Sequence, residues 1–559
     1  MIQRARRKWL WFSIFVPVFL CGGILLAGRW GGPVEAASQP LLISNNSEST
    51  GKYVVLAWND LGMHCYNRDF TDLAVLPPFN NLWAQVIRVA DPPEVVTKGL
   101  KVEFFFADNT YSVSKSNFWD TSPYRPVQNA EWLFNWIPGF VGPLPANVGL
   151  AGTGLSGTMK VQSDHFTAEG IPLTEFSDSL PNTPDPYQLA TIVVSDAATG
   201  MELARTQPVA PVSTEMHCDY CHSDHGIGND DIATGKVETN ILTKHDRENM
   251  EGYPSQYSGP LMDRRPVLCA WCHSTNALGA SGAPKIPNLS KAMHGKHAEE
   301  GLPSTLTTCY SCHPGPRTQC LRDVMSTQFG LDCINCHGSL QNVSQNPSPW
   351  LQEPRCDNAA CHGSAFSQDQ ALYRMSKDHG GVYCEGCHDS THAIAPSRVS
   401  KDAIKFIGWQ GHSGVLDTCT VCHASWPTQP GPHNLPPGIV RSFTLEPDGF
   451  AAREPGAQVI YTHSLHNSGN VSDTYQLTWS SSQNWASVSP AGPTLQLSNG
   501  QTGLITVTVT IPGGEAVRGL VDRTVVTVTS TTSPTLVAAV TDVTLVPRSQ
   551  IFLPFLDQH

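Results

Sequence analysis

The sequence predicts a multidomain chain: a β-rich N-terminal domain, an irregular zone of mostly short helices, and a C-terminal β-sandwich, all behind a targeting leader. Three observations predict it. Runs of β-branched and aromatic residues recur between positions 52 and 212. Seven segments ending in Cys-His are confined to positions 218–423. Beyond position 438 apolar and polar residues alternate, the period of a strand with one buried face. At 559 residues the chain has length for about three or four domains.

Residues 1–37 read as a signal peptide or an N-terminal anchor. Arg4, Arg6, Arg7 and Lys8 precede an apolar stretch from Trp9 to Leu26, and Val34-Glu35-Ala36-Ala37 resembles a small-residue cleavage site. The stretch is long for a signal peptide and just long enough to span a bilayer. Cleaved, it releases the protein; uncleaved, it ties the protein to the membrane. Leu20 before Cys21 is too bulky for a lipidation signal. Both readings place the chain outside the cytoplasm, in the periplasm, at the cell surface or beyond. A polar Ser/Asn-rich linker follows at 38–51.

Residues 52–212 form the β-rich domain, of no assigned role. Its strand signals are Tyr53–Trp58, Trp83–Ile87, Lys101–Phe106 and Ala190–Val194, and the Gly-rich stretch Ala146–Gly157 reads as a loop. Asp60-Leu61-Gly62-Met63-His64-Cys65 stands out within it. Cys65 has a structural role or pairs with Cys320, or His64 ligates metal across the domain boundary, or both belong to a separate copper or zinc site.

Residues 213–436 carry the chemistry. Six segments read Cys-x-x-Cys-His: Cys218–Cys221–His222, Cys269–Cys272–His273, Cys309–Cys312–His313, Cys333–Cys336–His337, Cys384–Cys387–His388 and Cys419–Cys422–His423. The seventh, Cys356–Cys361–His362, has four spacer residues. Two thiols at this spacing add across the two vinyl groups of one porphyrin, and the adjacent histidine reaches the iron. Zinc knuckles, a thioredoxin-like dithiol and disulfides explain the cysteines but not a histidine after every pair. Seven covalent c-type haems are expected, each iron with a proximal histidine. In the stretched motif the spacer must bulge outward to keep both sulfurs in place.

Successive first cysteines lie 51, 40, 24, 23, 28 and 35 residues apart. At that density side chains cannot build a core of their own, so a haem-built core is expected. Distal ligands are expected from the remaining histidines of this zone. His294, His379 and His412 sit among small residues that allow close approach, His392 would serve a haem other than that of His388, and His245, His297 and His433 complete the candidates. His217 and His225 flank the first motif and are read as hydrogen-bond partners or solvated. Met216, Met293, Met325 and Met375 are read as porphyrin packing. A second imidazole gives a low-spin iron suited to fast electron exchange.

Residues 438–547 read as an immunoglobulin-like sandwich of about seven or eight strands, with Leu504–Thr510 and Thr524–Thr529 as the clearest signals. In pattern it resembles the domains that follow secreted enzymes on bacterial surfaces. In the tail, 548–559, Ile551–Leu556 is too short to span a membrane and reads as a last strand or a sorting signal.

The formal charge is −13, and haem propionates would add to it. That argues against nucleic acid as a partner and allows a basic or metal-oxide one.

The middle zone resembles the bacterial exported multihaem c-type cytochromes of metal-reducing and syntrophic organisms. Lys291-Ala292-Met293-His294-Gly295-Lys296-His297 before the Cys309 motif, and His379-Gly380-Gly381-Val382-Tyr383-Cys384, carry the likeness. It covers about 220 of the 559 residues. It implies electron transfer through mainly bis-histidine haems, from the membrane towards a redox protein or an extracellular acceptor. Relatives of this kind include oxidoreductases with one open haem acting on small nitrogen or sulfur compounds, the alternative reading. The lysine-ligated motif of ammonia-forming nitrite reductases does not occur.

Overall fold

The computed structural model describes residues 53–547 apart from 426, 428, 436–440 and 470. The leader, the linker and the tail lie outside the described residues. Among the described residues no helix is long and apolar enough to cross a membrane. The chain is multidomain, with β-rich sandwich-like sheets at both ends and a middle region of short helices.

In the N-terminal part, Tyr53–Trp58 pairs antiparallel with Asn80–Arg88, which pairs in turn with Phe166–Ile171. A second sheet sets Leu100–Phe106 against Tyr187–Asp196, which also holds Glu202–Thr206 and Val209–Ser213. Alternate residues Val102, Phe104 and Phe106 are buried, as a period of two requires. They join Val55, Ala57, Leu82, Ala84, Ile192 and Val194 in one core. All four strand signals fall inside these strands. The expected loop at 146–157 ends in a short edge strand, Ser156–Thr158, because Leu100–Phe106 offers a free edge there.

Among the described residues the middle zone has three helices of two turns or more, Val237–Asn249, Leu289–Glu299 and Ser400–Gln410. Most of the rest is 3-10 turns and irregular backbone. Its apolar clusters borrow from the N-terminal part. Leu268 and Ala270 pack with Phe70, Phe118, Leu133 and Phe134. Tyr383 packs with Leu56, Trp58 and Ile87, and Leu242, Leu261 and Val267 pack with Leu73. Polar bonds follow the same lines. Trp271 Nε1 donates to the Leu133 carbonyl at 3.0 Å, Tyr383 N to Gln85 Oε1 at 3.0 Å, and Lys405 Nζ to the Ala57 carbonyl at 3.0 Å. Among the described residues no apolar cluster is built from the middle zone alone.

The C-terminal part stacks two sheets. One orders Thr444–Glu446, Gln458–His466, Thr502–Thr510 and Ala486–Ser489. The other orders Gly449–Ala452, Val537–Leu545, Val521–Ser530, Asp473–Ser481 and Thr494–Leu497. Ile505, Val507 and Val509 of one sheet share a core with Val526, Val528 and Val540 of the other. Among the described residues there are nine strands, above the seven or eight expected. The surplus lies in strands of four residues or fewer, too short to show a period.

Candidate haem sites

Each motif folds as one tight turn. In four of them the histidine N–H donates to the carbonyl of the first cysteine: His222 to Cys218 at 2.8 Å, His273 to Cys269 at 3.1 Å, and His313 to Cys309 and His423 to Cys419 at 2.9 Å. Cys333–His337 and Cys384–His388 are single helical turns. The stretched motif closes the same way, His362 N–H reaching the Cys356 carbonyl at 3.2 Å. Its two extra residues are looped out around Asn358, whose carbonyl accepts from Cys361 N at 2.8 Å and whose Oδ1 accepts from Ala360 N at 2.9 Å.

Six motif histidines each face a second histidine. The ring centres are separated by 6.4 Å for His222–His297, 6.3 Å for His273–His245, 6.1 Å for His313–His294, 6.2 Å for His337–His392, 6.0 Å for His388–His433 and 5.9 Å for His423–His379. A metal–imidazole bond is about 2.0–2.1 Å, and a ring centre lies about 1.1 Å from its nitrogen, so two imidazoles across one iron stand about 6.2 Å apart. The residues therefore fit a haem at each of these turns, held by two thiols and two imidazoles.

The ring nitrogens are allotted accordingly. Nδ1 of His273 meets the Pro287 carbonyl at 2.9 Å, that of His294 the Ser290 carbonyl at 2.8 Å and that of His297 the Met293 carbonyl at 2.7 Å. His222 Nδ1 meets Asn229 Oδ1 at 2.9 Å, His245 Nδ1 the Tyr253 hydroxyl at 2.7 Å, and His423 Nδ1 Asp91 at 3.2 Å. His392 Nδ1 lies 3.8 Å from Cys320 Sγ, and His433 Nδ1 3.5 Å from Asp378. Such partners orient a ligating ring and leave Nε2 free for the metal. Burial, reinforced by His433 and His362, pushes His388 down to about 4. Burial with His294 and His337 does the same to His313, also about 4. These imidazoles are neutral near pH 7, the form that ligates.

His412 is a correction to the expected distal set. Its ring stacks on His466 of the C-terminal part at 3.7 Å, and both nitrogens are engaged. Nδ1 meets the Ser413 carbonyl at 2.8 Å, and Nε2 lies 3.2 Å from Asp417 and 3.3 Å from Thr418 Oγ1. The small residues beside it serve an interface. His217 turns Nε2 to Glu215 at 3.2 Å and stacks on Tyr220, while His225 is exposed.

The turns also line up. Helix Val237–Asn249 links the first two motifs: Asn240 Nδ2 donates to the His222 carbonyl at 3.0 Å, and His245 of the same helix faces His273. After burial, the largest influence raising Cys218 to about 12 is Cys312. Cys309 is held below the usual thiol range, chiefly by its neighbour Cys333. Cys336 is pushed up by burial, with Asp323 and Cys361 adding. Cys384 and Cys387 both rise to about 12 through burial, with Cys356 acting on the first and Cys422 on the second. Numbered along the chain, the motifs thus neighbour one another in the order 2-1-3-4-5-6-7. Apart from the exchange of the first two motifs, this is the order of the chain itself.

His64 is buried, with its ring 5.6 Å from Phe79 and Nε2 3.6 Å from Asp60; no motif histidine stands opposite it. Cys65 and Cys320 are free thiols. Burial raises Cys320 to about 12, with Arg322 opposing and Cys65 adding. Among the described residues no group of three His, Cys, Asp or Glu side chains gathers as a separate metal site. Gly62 packs against the Thr391 carbonyl, beside His392, so this segment buttresses a candidate ligand.

No protein-family model matches the chain, and no curated protein matches it. Among solved structures, it is similar to the ASH/PapD-like domain of human CEP192 (11% identity, 22% of this chain and 92% of that one, TM-score 0.16). It is also similar to WR4, a C. elegans MSP family member (12%, 19% and 99%, 0.15), and to the E. coli chaperone DraB (15%, 20% and 58%, 0.16). At such scores the likeness carries no argument.

Proposed function

We propose that this protein is an exported, multihaem c-type electron carrier. Cys218/Cys221, Cys269/Cys272, Cys309/Cys312, Cys333/Cys336, Cys356/Cys361, Cys384/Cys387 and Cys419/Cys422 would attach seven haems. The observation that supports it is the six opposed imidazole pairs at 5.9–6.4 Å. Each pairs a motif histidine with one that no motif requires. A bound haem supplies a one-electron couple. The chain's own work would be to set two imidazoles opposite one another at each of the six turns, to orient most of the rings through Nδ1, and to keep neighbouring sites in contact. On this reading electrons enter and leave at the ends of the row, near His273 and His423, between a membrane donor and an extracytoplasmic acceptor. The C-terminal sandwich, immunoglobulin-like in its alternation, would attach the carrier to a surface.

The test is intact mass after expression with a c-type haem maturation system, followed by a redox titration. A mass gain of seven haems, with a multi-component low-spin titration, is expected. A chain that matures without haem, or that binds zinc in stoichiometric amounts, would overturn the reading.

A further inference from the structure

The histidines can be accounted for one by one. Twenty of the 21 are described. Seven belong to motifs and six stand opposite them. Six of the other seven are hydrogen-bonded or exposed, and the Nε2 of His64 is buried 3.6 Å from Asp60 without a hydrogen bond. His64 faces Asp60, His165 bonds Asp164 and stacks on Trp83, and His217 bonds Glu215. His412 stacks on His466, which bonds Thr502; His463 is bound by Pro447 O and Asp542 Oδ2; His225 is exposed. None of these is placed against His362.

What His362 faces is Phe366. Its ring centre is 6.0 Å away, with the planes at 65°, within the spacing of the six imidazole pairs. Gly363, at φ 72°, and the turn Ser364–Phe366 bring it there. A phenyl ring has no lone pair to give a metal. Phe366 also lies 5.1 Å from His433 and is 38% exposed, so it sits at the boundary between this turn, its neighbour and solvent. The same motif is the stretched one, with its extra residues looped outward and Arg355 clamping Asp357 at 2.9 and 2.6 Å. Two departures from the other six sites therefore coincide at one turn.

We propose that the site of Cys356, Cys361 and His362 holds its haem with one axial histidine, open on the side that Phe366 faces, and that it binds a small uncharged lone-pair donor of the carbon monoxide or nitric oxide kind. The proposal rests on the haem reading above. It makes the fifth site of the row the one where chemistry on a small molecule would occur, while the other six pass electrons to and from it.

The test counts haems and open sites separately in the same full-length protein. Intact mass and total haem give the first number. The high-spin fraction by electron paramagnetic resonance, and carbon monoxide bound to the dithionite-reduced protein, give the second. Seven haems with about one in seven high-spin and carbon monoxide-binding is the expected result. Cys356→Ala with Cys361→Ala should then leave six haems and abolish carbon monoxide binding. Phe366→His, which keeps all seven attachment sites, should lower carbon monoxide binding at least fivefold. Seven haems with no open fraction, or with a methionine–iron band assigning Met375 as sixth ligand, would overturn the inference and leave the carrier reading standing. Carbon monoxide binding that survives either variant would also overturn it. Absence of haem altogether would overturn both.

Discussion

His294 and His297 lie one turn apart on the helix Leu289–Glu299, yet they face different motifs, His313 and His222. Neighbours at i and i+3 share one face of a helix, so one short element sets a histidine opposite each of two motifs and fixes their separation. Under the proposed function, His294→Ala and His297→Ala should each convert a different haem. Carbon monoxide binding should rise by about one haem in each single variant and by two in the double. An unchanged low-spin spectrum in either would remove that histidine from the ligand set.

His412→Ala should behave otherwise. It removes a stacked, hydrogen-bonded ring from the contact with His466, a loss of about 1–2 kcal/mol. The thermal midpoint should fall while the haem spin state stays as it was. A new high-spin signal would restore His412 as an iron ligand.

Arg322 and Asp402 form a buried pair, 1% and 3% exposed in their side chains, joined at 2.6 and 3.1 Å. The Arg322 guanidinium also lies over the ring of Tyr187 at 5.0 Å, and the Arg322 backbone N–H donates to the His392 carbonyl at 2.9 Å. Asp402→Ala strands a buried guanidinium and should cost about 3–5 kcal/mol. Replacing both, Arg322→Met with Asp402→Leu, should cost less than the single change. Denaturant unfolding of the loaded protein separates these outcomes; equal losses would mean that the pair is screened by solvent.

Glu446 gives stability a pH dependence. Burial raises it from 4.5 to about 7, against the opposing effects of Ser413 and His412, and its Oε1 is buried without a partner. A carboxyl that holds its proton more tightly when folded contributes fully below about 4.5, and that contribution is lost as pH rises through about 7. Glu446→Gln should therefore flatten the stability profile between pH 5 and 8, gaining on the order of 1–3 kcal/mol at the alkaline end. Parallel profiles for the two proteins would show that Glu446 ionises freely.

The strands were legible because a period of two survives in the text at Leu100–Phe106 and Thr502–Thr510. The motif turns were legible because their spacing is local. Six of the seven histidines named as distal candidates stand opposite motif rings. His412 misled because a small-residue setting marks close packing of any kind, and only the contact with His466 shows which kind. The partner of His392 could not be read either, since His337 lies far from it in sequence and the two meet through folding of the whole zone. Nor could Asn229, Tyr253 or Asp91 be foreseen as ring-orienting groups, because a single hydrogen bond to Nδ1 leaves no pattern in a sequence.

Every apolar cluster that includes the middle zone also includes side chains from residues 53–212. Trp271 and Tyr383 rest on walls that their own segment does not build. The seven turns are thus not a portable cassette. An engineer who grafted positions 213–436 onto another carrier would leave behind the mould that aligns them. The turns at Cys269, Cys384 and Cys419 in particular lean on backbone and side chains that come earlier in the chain.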